Sequence, residues 1–121
     1  MGLKPAPAFP ISLDARRAAE VLDRTLRSYG ADVTVETRAG TVRYLRGGRP
    51  FVLARVLASR VDVAFRKVGR ADHKRILDAR AAGLPFLPHR VVLEAPGDLD
   101  SQLLAWLRES YEWVEEWESP R

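Results

Sequence analysis

The 121-residue chain contains no cysteine, one methionine and two histidines. The absence of cysteine excludes disulfide bonds, thiolate metal ligands and cysteine nucleophiles, and it is compatible with a reducing compartment. A metal site built on His73 and His89 would need a carboxylate beside both, and Asp72 and Asp78 lie near only one of them in the sequence. We therefore expect neither a metal ion nor a cofactor.

Long apolar runs are also missing, because no stretch approaches the roughly 18 to 20 apolar residues that cross a bilayer. The opening segment MGLKPAPAFP has one lysine and no apolar core, so we do not expect it to be a secretory signal. Its three prolines predict an extended, flexible arm over residues 1–10. Together these features predict a cytoplasmic protein without a membrane partner.

The common catalytic motifs are absent as well. The sequence contains no phosphate-binding loop, GxGxxG, HExxH or GxSxG pattern, and it pairs no nucleophile with a base. We therefore predict a protein that is not an enzyme and assign no catalytic residue. An enzyme that acts on a small anionic substrate is kept as a third alternative.

What the chain does have is the composition of one globular domain, with 46% hydrophobic and 30% charged residues. The charge is unevenly placed: residues 1–92 carry a formal charge of +10 and residues 93–121 carry −6. Such asymmetry indicates either a nucleic-acid surface with an acidic tail or an ordinary solvated surface rich in arginine.

Hydrophobic periodicity predicts a single α+β domain over residues 11–118. Ser12 is a plausible N-cap for a first helix that ends near Ser28. Four short strands between residues 32 and 66 are joined by tight turns, including Gly47–Gly48, and predict an antiparallel meander. A short helix is expected from His73 to Arg80. A fifth strand follows at 89–94, and a second helix begins at Asp98 or Asp100 and ends near Trp117. We therefore predict an antiparallel five-strand sheet with the N- and C-terminal helices packed on it.

The last third of the chain, HRVVLEAPGDLDSQLLAWLRESYE, resembles the C-terminal signature of the YdhG-like proteins, a family of unknown function. The matching residues are His89, Arg90, Val91, Leu93, Asp100, Leu103, Trp106, Leu107 and Tyr111. Ser110 stands where alanine is common, and the order of elements extends the resemblance over about residues 12–115. The resemblance implies the fold described above and no particular activity.

Some YdhG-like proteins look like frataxin and have been associated with iron delivery. That role would need carboxylates clustered on the first helix, because iron prefers oxygen and imidazole ligands. Here the first helix offers only Asp14, Glu20 and Asp23, interleaved with four arginines. We therefore do not expect iron binding.

Strand alternation places Arg43, Arg55 and Arg66 on one face of the sheet, away from the predicted core. Phe51 and Leu53 share that face, and His89 completes the candidate set, although its position in the packing signature favours a structural role. Such a face suits an anionic, partly apolar ligand or protein partner, such as a nucleotide or an acidic peptide.

Three other interpretations stay open. Residues 67–88 could cover the apolar part of this face while the arginines pair with Glu36, Asp62 and the acidic helix, and a one-residue bulge in the third strand would dissolve the patch. A nucleic acid could bind there with the basic loop Lys67, Arg70, Lys74 and Arg75, although no recognition motif supports it. Trp113 and Trp117 could form a docking surface, such as a homodimer contact, or fold back onto the domain.

Overall fold

A computed structural model describes residues 11–70, 73–80 and 87–118, with side chains up to Val114. The predicted N-terminal arm lies outside the described residues. Helix α1 spans Leu13–Arg27 and helix α2 spans Ser101–Glu118. The strands are β1 (Val33–Arg38), β2 (Thr41–Arg46), β3 (Arg49–Val56), β4 (Val61–Phe65), β5 (Leu77–Asp78) and β6 (His89–Leu93).

The strands form one antiparallel sheet in the order β1-β2-β3-β4-β6-β5. All five predicted strands are confirmed, and β5 is an additional strand. It replaces the short helix expected from His73 to Arg80, so that prediction was wrong. Leu77 and Asp78 pair with β6, and Ala79 N–H donates to Pro88 O at 3.0 Å. Pairing with the edge of β6 satisfies backbone groups on both segments, which an isolated helical turn would not do.

The local signals in the sequence act as expected at the first helix and the second hairpin. Ser12 Oγ accepts a hydrogen bond from Ala15 N–H at 3.1 Å and so caps α1. Gly47 and Gly48 have φ of 59° and 81°, the positive values that a type I′ turn requires. The β2–β3 hairpin is thereby fixed by two residues without side chains.

Both helices pack on one face of the sheet, which we call the helix-side face. The core there combines apolar residues of α1 and α2 with Tyr44, Val52, Val63 and Val91 of the strands. The opposite face, the outer face, carries a second and smaller cluster composed of Leu53, Ala64, Ala79 and Leu87.

A β-bulge interrupts the pairing of β2 with β3. Tyr44 pairs with Val52 while its neighbour Leu45 pairs with Pro50, which leaves Phe51 as an extra residue in β3. The bulge turns Phe51 towards the helices, where its ring is fully buried against Tyr111 at a centroid distance of 5.2 Å.

Ser110 of α2 closes the gap that the bulge leaves in the β3–β4 ladder. The last ladder pair is Leu53 with Ala64, so the next hydrogen bond would join Arg66 N–H to Phe51 O. Instead, Ser110 Oγ accepts from Arg66 N–H at 3.1 Å and donates to Phe51 O at 2.7 Å. The buried hydroxyl therefore stands between two backbone groups that would otherwise lack partners.

We expect Ser110→Ala to lower the free energy of unfolding by about 1 to 3 kcal/mol, because it leaves a buried donor and a buried acceptor unpaired. Urea denaturation followed by circular dichroism measures this change. Ser101→Ala, at an exposed position of the same helix, is the matched control and should change stability by no more than about 0.5 kcal/mol. Equal midpoints for the two variants would contradict the bridging role of Ser110.

Candidate ligand-binding site

The outer face carries two adjacent rows of cross-strand neighbours. Residues opposite each other on antiparallel strands point to the same face. The first row is Glu36, Arg43, Leu53, Ala64 and Arg90, and the second is Thr41, Arg55, Asp62 and Val92. Arg43, Arg55 and Leu53 therefore share the outer face, as strand alternation predicted.

The apolar part of this face is covered. Leu53 is 1% exposed and Ala64 is fully buried, and both pack with Ala79 and Leu87. Of the described residues between β4 and β6, Ala79 and Leu87 therefore lie over this part of the sheet. Leu53 consequently offers no surface to a ligand.

Phe51 and Arg66 do not join the outer face, so the prediction of one continuous patch was wrong at these two positions. The bulge places Phe51 in the helix-side core. Strand β4 ends at Phe65, and the Arg66 guanidinium stacks on the Trp113 ring of α2, 4.5 Å from its centroid. Alternation fails where a strand bulges and where it ends.

Carboxylates lie among the remaining outer-face arginines. Asp62 is 1% exposed, and its Oδ1 accepts from Arg60 Nε at 3.2 Å and from Arg90 Nη1 at 3.1 Å. Glu36 lies 3.7 Å from Arg43 across the first hairpin. Arg43 and Arg55 both have interaction partners. The face therefore keeps an excess of arginine over carboxylate, but its central charges are compensated.

His89 has a structural position at the start of β6. Its Nδ1 accepts a hydrogen bond from Lys67 N–H at 2.9 Å, and its ring lies 6.1 Å from that of Phe65. Burial lowers the pKa of His89, and the positive charges of Arg66 and Lys67 lower it further. The ring is therefore held neutral, which is the form that can accept this hydrogen bond.

A lowered pKa at His89 predicts that stability falls in mild acid. The unfolded chain takes up a proton below its ordinary pKa of about 6.5, whereas the folded chain resists protonation, so stability is present above that pH and is lost as the pH falls through it. We expect the Tm to decrease between pH 7.5 and 5.5 and the free energy of unfolding to fall by about 1 kcal/mol or less, the contribution of one hydrogen bond that solvent partly screens. His89→Gln should flatten this dependence. A slope that persists in His89→Gln would contradict the assignment.

Two of the four predicted nucleic-acid residues are bound to α2 or to the turn that precedes it. Arg75 Nη1 lies 2.9 Å from the Asp100 carboxylate, and Arg75 also hydrogen-bonds the backbone oxygen of Asp98. The Leu103 N–H and then Arg75 lower the pKa of Asp100. Lys67 Nζ lies 3.5 Å from Glu109. Arg70 and Lys74 are exposed, and Arg70 has an interaction partner.

The proposed tryptophan surface is only partly described. Trp113 is half-buried beside Arg66, and the side chain of Trp117 lies outside the described residues. Trp106 belongs to the core, where it stacks on Phe65 at a centroid distance of 6.1 Å.

A concave site lies elsewhere, between α1 and the helix-side face of β1, β2 and β3. We call it the α1 groove. Its volume is about 770 Å³, within the range of small-molecule sites. Its lining is Ile11, Arg16, Ala19, Glu20, Leu22, Asp23, Arg24, Arg27, Val35, Thr37, Val42, Tyr44, Ala54 and Val56.

The floor of the α1 groove is apolar and its α1 side is charged. Val35, Val42 and Val56 of the sheet are only half-buried, because α1 covers them only in part. The charged side belongs to α1, where Arg16 and Arg24 are exposed. An apolar floor beside arginines can hold a ligand that has an apolar body and an anionic group.

Tyr44 and Asp23 connect the floor of the α1 groove to its rim. Tyr44 Oη donates to Asp23 Oδ1 at 2.8 Å, and Arg27 Nε donates to Asp23 Oδ2 at 2.9 Å. Burial raises the pKa of Tyr44, and the hydrogen bond to the Asp23 carboxylate raises it further. The hydroxyl stays protonated, and Arg27 compensates the charge of Asp23. The other charged residues of the rim are two arginines, Arg16 and Arg24, and one acid, Glu20.

A family model for a domain of unknown function, DUF5655, matches residues 10–114. The chain belongs to the DUF5655 family. The match covers α1, all six strands and most of α2. The resemblance to the YdhG-like proteins predicted a family of unknown function, and at that level it is confirmed. No curated protein and no solved structure matches the chain.

The α1 groove of this DUF5655 chain was not predicted, because the α1 arginines were considered only as an argument against iron binding and the candidate ligand face was placed on the opposite side of the sheet. The predicted dimensions of the fold gave no signal, because five strands about 4.8 Å apart span about 19 Å and two helices of about 10 Å each cover about 20 Å. The six-strand sheet of the structure is about 24 Å across, which is more than two helices cover. Ala19 on α1, beside the groove, adds little bulk over the uncovered strands.

The described part of this DUF5655 domain shows neither a cluster of metal ligands nor a membrane-spanning helix. Over residues 11–70, 73–80 and 87–114, no group of three or more histidines and carboxylates is arranged to hold a metal ion. Neither α1 nor α2, as far as they are described, is long and apolar enough to cross a membrane.

Proposed function

We propose that this DUF5655 protein is a binding domain for a small amphipathic anion. The apolar body of the ligand lies on the valine floor of the α1 groove, and its carboxylate or phosphate is bound by the arginines of α1. The observation that carries the proposal is the coincidence, in one groove of about 770 Å³, of half-buried valines with exposed guanidinium groups.

The charges of the rim favour an anion over a cation. Arg16, Arg24 and Arg27 line the groove together with Glu20 and Asp23. Asp23 is already engaged by Tyr44 and Arg27, so a cationic ligand would find only Glu20 to pair with. The side chains of Arg16 and Arg24 make no hydrogen bond or ion pair with any described residue, and a planar guanidinium binds carboxylate or phosphate in a bidentate manner.

Titration calorimetry with dodecanoate, below its micelle concentration, tests the proposal. We expect saturable binding by the unmodified protein, and Arg24→Ala should weaken it about tenfold, because a hydrogen bond to a charged group is worth about 1.5 to 3 kcal/mol. Arg17→Ala is the matched control, since Arg17 is an exposed α1 arginine outside the groove lining. Dodecyltrimethylammonium, which has the same tail and the opposite charge, should bind more weakly.

Two results would overturn the proposal. Equal losses of affinity in Arg24→Ala and Arg17→Ala would show that only the diffuse charge of α1 attracts the ligand. Binding of dodecyltrimethylammonium as tight as that of dodecanoate would show that the arginines do not select the ligand.

A nucleic acid on the outer face is the second candidate, favoured by the excess of Arg43, Arg55, Arg60 and Arg90 over Glu36 and Asp62 on and beside that face. Anisotropy of labelled DNA and RNA oligomers distinguishes it from the first. Affinity that falls about 10³-fold or more between 50 and 200 mM salt would indicate many phosphate contacts. In that case Arg55→Ala should weaken binding more than Arg17→Ala, and dodecanoate should not compete.

A further inference from the structure

Strand β1 is an edge of the sheet with an unused hydrogen-bonding side. It runs for six residues without proline or bulge, and within the described part of the chain it pairs only with β2. The strand at the opposite edge, β5, has two residues, which is one way in which proteins protect an edge. β1 has no such protection.

The first hairpin determines which backbone groups of β1 point outwards. Its turn, Ala39–Gly40, has positive φ at both residues (52° and 81°), and in such two-residue hairpins the flanking residues form a hydrogen-bonded pair. Arg38 and every second residue before it therefore bond to β2. The N–H and C=O groups of Val35 and Thr37 point to the free edge, as does Val33 C=O, whereas Val33 N–H donates to Gly30 O at 3.2 Å.

We propose that two copies of the chain pair through β1 in an antiparallel homodimer whose two-fold axis passes beside Val35. In this register Val35 pairs with Val35 of the second copy, and Thr37 N–H donates to Val33 C=O of the second copy. Both Val35 groups, Thr37 N–H and Val33 C=O then have partners, and the two sheets become one. Thr37 C=O keeps solvent as its partner, because Val33 N–H already donates to Gly30 O.

The charges of β1 select this register over its neighbours. With the axis at Val35, Glu36 lies opposite Thr34, so no two like charges of β1 face each other. Arg38 lies opposite Asp32, whose carboxylate is already bound by Arg46 and Tyr111 of its own chain. Moving the axis to Glu36 would place two glutamates directly opposite each other, which is destabilising. Moving it to Thr37 would pair Val35 with Ala39, which belongs to the turn.

Dimerisation would enlarge the α1 groove, a consequence that rests on the proposed function. Opposite residues of antiparallel strands share a face, so both α1 helices would lie on the same side of the joined sheet. Val35 and Thr37 line the groove at its β1 side. The two grooves would therefore meet across the axis in one cleft, floored by both β1 strands and flanked by both α1 helices.

Single-cysteine cross-linking tests the register, because the natural chain has no cysteine. In Val35→Cys the two cysteines would have Cα atoms about 5.5 Å apart, which suits a disulfide. In Thr37→Cys they would be about 13 Å apart, beyond the reach of a disulfide. Under mild oxidation we expect at least about tenfold more cross-linked dimer from Val35→Cys.

Sedimentation equilibrium of the unmodified protein, without ligand, completes the test and is expected to show a reversible monomer–dimer equilibrium. A monomer at all concentrations overturns the proposal. A dimer in which Thr37→Cys cross-links as well as Val35→Cys, or in which neither does, places the contact elsewhere and also overturns it. A monomer that still binds dodecanoate would refute the dimer alone, and a β1 dimer that does not bind dodecanoate would refute the proposed ligand alone.

Discussion

Asp62→Ala is expected to lower the free energy of unfolding by about 3 to 5 kcal/mol, because it removes one partner from a buried ion pair. Asp62 is 1% exposed, and its Oδ1 is shared by Arg60 and Arg90. The Arg90 side chain is itself only 15% exposed, so its guanidinium would lose its ion-pair partner while having little access to water, with Asp78 as the other acid near it. Urea denaturation of the variant measures the loss.

Glu36→Ala is the matched control for Asp62→Ala. Glu36 also pairs with an arginine of the outer face, but its side chain is 58% exposed, and an exposed ion pair contributes about 0 to 1 kcal/mol. Asp62→Asn should give an intermediate loss, since the amide oxygen can still accept hydrogen bonds from Arg60 and Arg90. Similar losses from Asp62→Ala and Glu36→Ala would show that burial does not strengthen the Asp62 pair.

Phe51→Ala is the second substitution for which we expect a large effect, a loss of about 3 to 5 kcal/mol in the free energy of unfolding. The Phe51 ring is fully buried against Tyr111 and lies 6.4 Å from the ring of Tyr29. Removing it leaves a cavity under α2 at the point where Ser110 bridges the bulge. Chemical denaturation measures the loss, and Phe51→Leu should cost less because it fills more of the space.

Phe51→Ala also distinguishes the predicted position of Phe51, on a ligand-binding face, from its position in the helix-side core. A residue on a ligand-binding face would be nearly neutral for stability and important for binding. Leu77→Ala, at a position that is 41% exposed, is the control and should change stability by about 0.5 kcal/mol or less. Equal stability of the Phe51 and Leu77 variants would place Phe51 at the surface and contradict the bulge.

Most of the fold could be predicted because it depends on local signals. The cap at Ser12, the apolar stripe of α1 and the glycine pair at 47–48 each act within a few residues of themselves. Five strands and two helices followed from such signals. Residues 73–80 could not be predicted in this way, because β5 forms by pairing with β6, which lies later in the chain.

The candidate site was less predictable than the fold. Arg43 and Arg55 were placed correctly on the outer face, whereas one extra residue at Phe51 reversed the face to which that side chain points. The α1 groove could not be found from strand alternation, because a groove depends on which parts of the sheet the helices leave uncovered.

The sequence by itself determined the antiparallel meander, the two packed helices and the excess of arginine, because periodicity, turn residues and charge are properties of neighbours along the chain. Only the tertiary structure decided the bulge at Phe51, the bridge by Ser110, the burial of Asp62 and the open groove beside α1. Each of these depends on groups from distant segments. The groove depends also on how much of the sheet the two helices are wide enough to cover.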